Sequence, residues 1–183
     1  MSITLTTPRL LLQVEDSSKS PSVLEFYNYN RLLFERFEPT RPHNFYTIEY
    51  QTASMDAEYN NTINGKMIRY YIYLKNHPDC IIGAVNFSNI THGPFSRASI
   101  GYKLDQRYHG NGYAFEACNA AIPEVLSNYK LHRLDARVSP ENIPSIKLLE
   151  RLGFVYEGIE YQGVEVNGFF QDHYMYGLIS TIQ

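Results

Sequence analysis

Hydrophobic residues recur along this chain with two different periods, and each period predicts one kind of element. In residues 97–104 apolar and polar positions alternate strictly, which predicts a strand with one buried face. The apolar set of that strand is Ala98, Ile100, Tyr102 and Leu104. In residues 142–152 the apolar positions recur every three or four residues, which predicts an amphipathic helix. Asn142 suits its N-cap and Gly153 suits a left-handed C-terminal cap.

The same signals divide the rest of the chain. Strands are predicted at residues 9–14, 68–74, 80–87 and 133–138. Helices are predicted at residues 22–37, as one or two helices, and at residues 47–64 and 113–127. Turn-forming residues at 76–79 predict a hairpin between two of the strands. The pair Asn167-Gly168 between apolar segments predicts a second hairpin near the C-terminus.

The order of these elements predicts the fold class. A strand and one or two helices are followed by a second helical segment, three antiparallel strands, helix, strand, helix and a terminal hairpin. This order is typical of a mixed α/β protein whose first half is largely antiparallel. A length of 183 residues suits one domain, so a single domain is expected over residues 1–183.

Composition and charge exclude several classes of protein. Hydrophobic residues make up 44% of the chain and charged residues 19%, and no apolar run approaches the roughly 20 residues that a membrane span needs. The stretch MSITLTTPRLLLQVE has neither a basic start nor a small-residue cleavage site, so a cytoplasmic location is expected. The net charge of −3 does not supply the basic field that nucleic-acid binding usually requires.

The cysteines and histidines do not suggest a metal site. Cys80 and Cys118 lie far apart without a CxxC spacing, so two buried free thiols are expected. The six histidines are scattered and show no ligand spacing. We therefore expect neither a disulfide framework nor a bound metal.

The chemistry of the chain is indicated first by residues 106–117, QRYHGNGYAFEA, where two glycines lie directly before a predicted helix. Glycine lets another body approach the main chain, and the first N–H groups of a helix lack partners, so such a corner attracts anions. A Walker loop would need a lysine after Gly112, and a dinucleotide fingerprint would need a third glycine at Phe115. Neither reading fits.

Together with residues 139–154, SPENIPSIKLLERLGF, this corner resembles the GNAT superfamily of acyl-CoA-dependent N-acetyltransferases. The signature R/Q-x-x-G-x-G/A corresponds to Arg107, Gly110 and Gly112. The later N-x-x-S/A followed by a Gly-Phe pair corresponds to Asn142, Ser145 and residues 153–154. Stretches 100–117, 131–142 and 165–175 resemble the RimJ/RimL branch, the ribosomal-protein-alanine N-acetyltransferases. The resemblance covers residues 7–178 and implies a mostly antiparallel central sheet of about seven strands flanked by helices.

The resemblance also implies a cofactor, acetyl-CoA, and its contacts. Its pyrophosphate would lie on the main-chain N–H groups of residues 109–114, and its pantetheine arm in a cleft where strands 97–104 and 133–138 splay apart. The implied cofactor-binding residues are Leu104, Arg107, His109, Gly110, Asn111, Gly112, Tyr113, Ala114, Asn142 and Ser145.

The resemblance implies a mechanism in which an amine attacks the acetyl thioester directly. Ser145 is implied as the residue that protonates the leaving thiolate, because the tyrosine that many relatives use is replaced here by Leu149. Ser145 and Asn142 have another interpretation, in which they only cap and fill the first turn of the helix. The general base is left open among the carboxylates Glu38, Glu165 and Asp172, and a water held by Asn86 and Ser88.

Three functions therefore remain open. The leading hypothesis is acetylation of the N-terminal α-amine of a ribosomal protein. The second is acetylation of a small amine such as a polyamine or an antibiotic. The third is a CoA-binding module without turnover. The sequence leaves the oligomeric state open.

Overall fold

A computed structural model describes residues 3–180 of the chain, and its centre is one eight-stranded sheet. The strands are β1 (Thr4–Thr6), β2 (Leu10–Gln13), β3 (Ile68–Leu74), β4 (His77–Thr91), β5 (Arg97–Leu104), β6 (Arg133–Val138), β7 (Val155–Val166) and β8 (Phe169–Ile179). The helices are α1 (Ser20–Tyr29), α2 (Arg31–Glu35), α3 (Ile48–Ile63), α4 (Tyr113–Asn128) and α5 (Ile143–Arg151). Short 3-10 helices occupy Ser17–Lys19 and Gln106–Tyr108.

The sheet is antiparallel except at one pair of strands. Its order is β1-β2-β3-β4-β5-β6-β8-β7, and β5 with β6 is the parallel pair. Within residues 3–180 these two strands pair only from Arg97–Arg133 to Ser99–Asp135. Beyond Ser99 they diverge, while β5 stays paired with β4 as far as Leu104. The sheet thus opens along one edge of β5, which confirms the splay that the resemblance implied.

Helices cover the sheet on both faces, and each face has its own hydrophobic core. Helix α4 packs on β2, β4 and β5, and α5 packs beside α4 on β6. Helices α1 and α3 pack on β4 and β3 from the other side. Strand β3 supplies both cores, because Tyr70 and Ile72 point to the α4 side and Tyr71 and Tyr73 to the α3 side. Burial on both faces explains its continuous apolar sequence.

Several predicted elements are confirmed with their bounds. The strands at 68–74, 97–104 and 133–138 are those observed. Asn142 caps α5, since its Oδ1 accepts from Ser145 N at 3.3 Å, and Gly153 takes a positive φ of 88° after the helix. Asn167 and Gly168 form the turn of the last hairpin with φ of 52° and 81°, values that suit a type I′ turn.

Other predictions differ from the structure in extent. The hairpin predicted at 76–79 is confirmed between β3 and β4, but its turn is shorter and lies at 75–76, because β4 already begins at His77, which pairs with Leu74. Two register shifts near Tyr73 accommodate those residues in an irregular strand end. The segment 22–37 breaks at Asn30 into α1 and α2. Strand β1 was not predicted, because three residues are too few to show a period.

The structure also bears on membrane, metal and disulfide chemistry. No helix in residues 3–180 is long and apolar enough to cross a membrane. The same residues contain no group of three or more His, Cys, Asp or Glu side chains that could hold a metal ion. Cys80 and Cys118 are free thiols, the first half-buried and the second buried. Residues 1–2 and 181–183 of the expected domain lie outside the described part of the chain.

Candidate active site

The glycine corner joins the end of β5 to the start of α4. Gly110 and Gly112 both have φ of 78°, a left-handed conformation that other residues adopt only with strain. Gly112 is the N-cap of α4 and offers no side-chain hydrogen bond to the helix. The first-turn N–H groups of α4 therefore keep their capacity to bind an anion, and the helix dipole favours negative charge there.

The corner is anchored by a carboxylate from α4 to the turn between β1 and β2. Glu116 accepts hydrogen bonds from Thr7 Oγ1 at 2.6 Å, from Arg9 N at 2.9 Å and from Arg9 Nε at 2.6 Å. Arg9 also donates through Nη1 to the Asn111 carbonyl at 3.0 Å, and its guanidinium lies 4.4 Å from the centre of the Tyr113 ring. Arg9 thus fixes the corner while bringing a positive charge to it.

The Glu116 carboxylate is expected to make stability depend on pH. Burial opposes ionisation, but hydrogen bonds from Thr7 and Arg9 outweigh it and hold the pKa of Glu116 below its ordinary value. Because the folded-state pKa is depressed, the contribution to stability is present above the unfolded-state pKa and is lost as pH falls through the folded-state pKa. We expect Glu116→Gln to lower the free energy of unfolding at pH 7 by about 1–3 kcal/mol.

Urea unfolding at several pH values measures this effect. The loss in Glu116→Gln should shrink as the pH falls below 4.5, the ordinary pKa of the group. Glu49→Gln is the matched control, since Glu49 is an exposed acid in the first turn of α3 as Glu116 is in the first turn of α4. An equal loss in both variants, or a loss independent of pH, would contradict the role given to Glu116.

A cavity of about 730 Å³ opens beside the corner. Its wall includes residues 110–112 of the corner, Arg9, Phe115 of α4 and Arg151 at the end of α5. The Arg151 guanidinium lies 3.8 Å from the centre of the Phe115 ring. The cavity thus combines open main-chain N–H groups, the cation Arg151, the ion pair of Arg9 with Glu116 and an aromatic face, a set that suits phosphate groups joined to an aromatic base.

Not all residues implied as cofactor contacts face this cavity. Leu104 is 8% exposed, and its carbonyl oxygen accepts from His109 Nε2 at 2.9 Å. Arg107 turns back onto the buried Asp105, with Nη2 2.6 Å from Oδ2, and its guanidinium stacks on the Tyr29 ring at 3.9 Å. Asn111 donates to the carbonyls of residues 108 and 109. These side chains hold the loop in shape, whereas Gly110, Asn111 and Gly112 line the cavity.

A second group of residues meets where β5 and β6 separate. Tyr102 of β5 reaches the first turn of α5, with its Oη 2.8 Å from Ser145 Oγ and donating to the Ser145 carbonyl at 3.1 Å. Burial raises the pKa of Tyr102, although the hydrogen bond to Ser145 opposes the rise. Leu149, at the position where relatives carry tyrosine, is 1% exposed in the core. Tyr102 therefore places a hydroxyl near Ser145 that Leu149 cannot supply.

Sequence reasoning missed the chemical role of Tyr102. The alternation of residues 97–104 put it on the apolar face, where it was counted as core. A signal was present, because its ring is the one member of that face with a hydroxyl, and a buried tyrosine hydroxyl usually has a partner. Its partner lies 43 positions along the chain, and no local pattern relates the two.

The candidate bases fall into different environments. Asp172 accepts from Gln162 N at 2.8 Å and so fixes the irregular part of the β7–β8 hairpin. Glu165 contributes a main-chain carbonyl, which accepts from Thr40 N at 2.9 Å. Glu38 lies in a cavity on the α1–α3 side of the sheet, where burial opposes ionisation but Lys103 and Arg41 lower its pKa. Of the three carboxylates, Glu38 is thus the one held in a cavity next to β5.

The cavity around Glu38, called the acceptor cavity below, has a volume of about 300 Å³. Lys103 lines this cavity and directly follows Tyr102 in β5. Because consecutive residues of a strand point to opposite faces of the sheet, the acceptor cavity and the Tyr102 hydroxyl lie on opposite faces of β5. Asn86 lies on the same face as Lys103, because Gly101 leaves room for its side-chain amide. Ser88 pairs with Ser99, farther along β5.

The loop that carries Glu38 is tied to the tip of the β7–β8 hairpin. Gly168 N donates to Thr40 Oγ1 at 3.2 Å, and Asn167 Nδ2 donates to the Glu35 carbonyl at 3.0 Å. The turn predicted from Asn167-Gly168 thus supports the loop that lines the acceptor cavity. The site therefore has three parts: the cavity beside the glycine corner, the acceptor cavity on the α1–α3 face, and the gap in the sheet where β5 and β6 diverge.

Comparisons with known proteins agree with this arrangement. Residues 9–155 match the family described as an acetyltransferase (GNAT) domain. The [Ribosomal protein uS5]-alanine N-acetyltransferase of Escherichia coli is 30% identical over 178 residues, which are 96% of this chain and 90% of that protein.

Solved structures share the fold over almost the whole chain. The ribosomal-protein-S5-alanine acetyltransferase of Vibrio fischeri superposes with a TM-score of 0.93 at 29% identity, covering 99% of this chain and 98% of that one. RimJ of Mycobacterium smegmatis, solved in complex with CoA-disulfide, superposes with a TM-score of 0.87 at 24% identity, covering 95% of this chain and 84% of that one. The eight-stranded arrangement is therefore that of acetyltransferases.

Proposed function

The chain belongs to the GNAT acetyltransferase family and is an acetyl-CoA-dependent N-acetyltransferase, and from that premise we propose that it acetylates the N-terminal α-amine of a ribosomal protein. The observation that carries the proposal is the similarity to an alanine N-acetyltransferase of a ribosomal protein over 96% of the chain. The geometry of the acceptor cavity supports the same class of acceptor.

The glycine corner fits the phosphates of the cofactor. Gly110 and Gly112 leave the main chain open, since a Cβ at Gly110 would meet nothing within 4 Å and one at Gly112 only Arg9 Nη2 at 3.6 Å. The N–H groups of residues 110–114 would bind the pyrophosphate, with Arg151 supplying positive charge and Arg9, which is paired with Glu116, holding the corner in place. The gap between β5 and β6 would hold the pantetheine arm, and main-chain N–H groups at its β5 edge can stabilise a developing negative oxygen.

Acetyl-CoA supplies a thioester whose sulfur leaves as a thiolate. Ser145 is proposed to donate its hydroxyl proton to that sulfur, so that CoA leaves as the thiol, and the serine regains a proton from solvent. Tyr102 Oη, 2.8 Å from Ser145 Oγ, orients the serine. A thiol has a pKa of about 8.5, so the leaving group needs only modest help at neutral pH. A serine that is hydrogen-bonded to a second hydroxyl can give this help. No catalytic side chain is then required at Leu149, which is buried in the core.

On the acceptor side, an α-amine makes small demands on a base. Its pKa is near 8, so about a tenth is already neutral at pH 7, whereas a lysine amine near 10.4 needs roughly a thousandfold shift. The carboxylate of Glu38 is ion-paired, with a pKa below its ordinary value, and is therefore a weak base. Such a site suits an acceptor amine that loses its proton readily.

The charges around Glu38 disfavour a polyamine. An acid-lined cavity would attract a polycation, but both carboxylates of the acceptor cavity are paired with cations: Glu38 with Arg41 and Lys103, and Glu58 with Arg69. A polyamine would have to displace these partners. A peptide carries one amine at its end and does not meet this obstacle.

Mass spectrometry of an acceptor panel tests the proposal. Purified protein, acetyl-CoA and N-terminal peptides of ribosomal proteins should give peptides that are 42 Da heavier, a shift set by the mass of the acetyl group, at the α-amine, with release of free thiol. Spermidine and an aminoglycoside serve as the competing acceptors. Acetylation of these small amines alone would replace the proposal by the second function. Stabilisation by acetyl-CoA without transfer to any amine would replace it by the third.

A further inference from the structure

The acceptor cavity contains an imbalance of charge at Glu38. Lys103 Nζ and Arg41 Nη2 both donate to the same atom, Oε2 of Glu38, each at 2.8 Å. The side chains of Lys103 and Arg41 are only 14% and 7% exposed. One carboxylate thus faces two cations that are largely withdrawn from water. Arg41 also donates to the Tyr46 hydroxyl and both cations lie over aromatic rings, but one positive charge has no carboxylate partner.

The other charged groups of the cavity wall do not remove this excess. Arg69 of β3 pairs with Glu58 of α3, one cation with one carboxylate. Together the wall has three cations, Arg41, Arg69 and Lys103, and two carboxylates, Glu38 and Glu58. Behind the wall, Glu35 accepts a hydrogen bond from Tyr46 Oη and pairs with Arg31, so one carboxylate and one cation cancel there too. The net charge of the group is +1.

Arg69 gives a second sign that the positive side of the cavity is under-satisfied. Its Nε is a buried nitrogen with no hydrogen-bond partner in residues 3–180, and no other buried side-chain nitrogen or oxygen there shares that condition. Buried donors in folded proteins nearly always have partners. Arg69 thus lines the cavity with one of its donors unused, although that nitrogen is itself closed to solvent.

Resting on the proposed function, we propose that the acceptor cavity is a carboxylate subsite: it receives an Asp or Glu side chain close behind the amine that is acetylated. A carboxylate is favoured because its single negative charge matches the excess of one, whereas a phosphate group would bring up to two. Lys103 lines the subsite, and its neighbour Tyr102 faces the gap between β5 and β6 where the thioester would react. A side chain bound in the subsite would therefore belong to one of the first residues of the acceptor.

Peptide pairs test the subsite directly. Each pair shares a sequence with N-terminal alanine and differs at one of positions 2 to 4, where one peptide has Glu and the other Gln. For at least one position the Glu peptide should have a kcat/KM on the order of tenfold higher, through a lower KM, because a charge-assisted pair with a guanidinium or ammonium forms only with the carboxylate. The difference should shrink from 0.05 M to about 0.5 M salt, as charges become screened.

A charge-neutral variant gives the second test. Lys103→Met leaves Glu38 paired with Arg41 and the cavity neutral, so the preference for Glu over Gln should disappear. Lys66→Met, an exposed lysine outside the cavity wall, should retain it. Should Lys103→Met fail to fold, the wild-type peptide pairs still decide.

Calorimetric measurement of the Kd of N-acetylated peptides separates a failure of the carboxylate subsite from a failure of the proposed N-terminal acetylation. These products need no turnover, and the Glu product should bind on the order of tenfold more tightly than the Gln product, for the same reason. Equal kcat/KM and equal Kd in every pair would overturn the subsite and leave N-terminal acetylation standing. Failure to acetylate any peptide would overturn the proposed function, and the Kd values would still decide the subsite. A peptide with phosphoserine at the same position that has a higher kcat/KM than the Glu peptide would overturn the choice of a carboxylate.

Discussion

Gly110→Val is expected to raise the Kd for acetyl-CoA at least about a hundredfold, while Gly93→Val leaves it unchanged. A hydrogen bond to a charged group contributes about 1.5–3 kcal/mol, so losing two main-chain donors to the pyrophosphate corresponds to a factor of about one hundred or more. The valine at 110 would place its branches over the N–H groups that the glycines leave open. Isothermal titration calorimetry measures both values of Kd.

Gly93 is a close control for backbone strain. Its φ is 72°, against 78° for Gly110, and a Cβ at either position would meet nothing within 4 Å. Valine should therefore cost both sites a similar amount of stability, and urea unfolding checks that it does. With stability matched, only the position beside the helix start differs. If both variants bound acetyl-CoA alike, the pyrophosphate would not lie on the corner.

The elements around this corner could be predicted from the sequence because their signals are local. Helix α5 has its cap, its apolar stripe and its final glycine within twelve residues. The cap and the glycine are observed, and of the stripe Leu149 is buried while Ile143 is exposed. Strand β5 alternates over its whole length, so both its bounds and its buried face were predicted correctly. Such signals depend on the conformation of neighbouring residues, and a single sequence records them fully.

The contacts that form the site depend instead on residues far apart in the chain. Arg9 meets Glu116 across 107 positions, and Lys103 meets Glu38 across 65. The sheet must first bring β2 beside the corner and place the Glu38 loop against β5, and periodicity does not give strand order. For the same reason the sequence left the base open among three carboxylates and a held water, whereas the structure shows that one carboxylate, Glu38, is held by two cations in a cavity.

Two consecutive residues of β5 connect the two sides of the proposed reaction. Tyr102 points toward Ser145 and Lys103 toward Glu38, since side chains alternate along a strand. The leaving group and the acceptor would thus be served from opposite faces of one strand at the point where its neighbour β6 has diverged. This division predicts that changes at Tyr102 and Ser145 alter the chemical step, while changes at Lys103 alter the recognition of the acceptor.

Ser145→Ala is expected to lower kcat about a hundredfold with little change in the KM for acetyl-CoA, because general acid catalysis contributes about 10²–10⁴ and a thiolate needs the least of that help. Tyr102→Phe should lower kcat by roughly a factor of ten, since it removes only the hydroxyl that orients the serine. Steady-state kinetics with a saturating peptide acceptor measures both, and Tyr161→Phe, an exposed tyrosine, is the control for loss of a hydroxyl.

The double variant separates a shared role from two independent ones. If Tyr102 acts through Ser145, the hydroxyl at 102 has nothing left to orient once the serine is gone, so the double variant should be no slower than Ser145→Ala alone. Multiplied losses would mean that Tyr102 contacts the reacting atoms itself. Because burial raises the pKa of Tyr102, its hydroxyl stays protonated past its ordinary pKa of about 10. The difference between wild type and Tyr102→Phe should therefore persist unchanged from pH 7 to about pH 9, and its loss within that range would contradict the orienting role given to the Tyr102 hydroxyl.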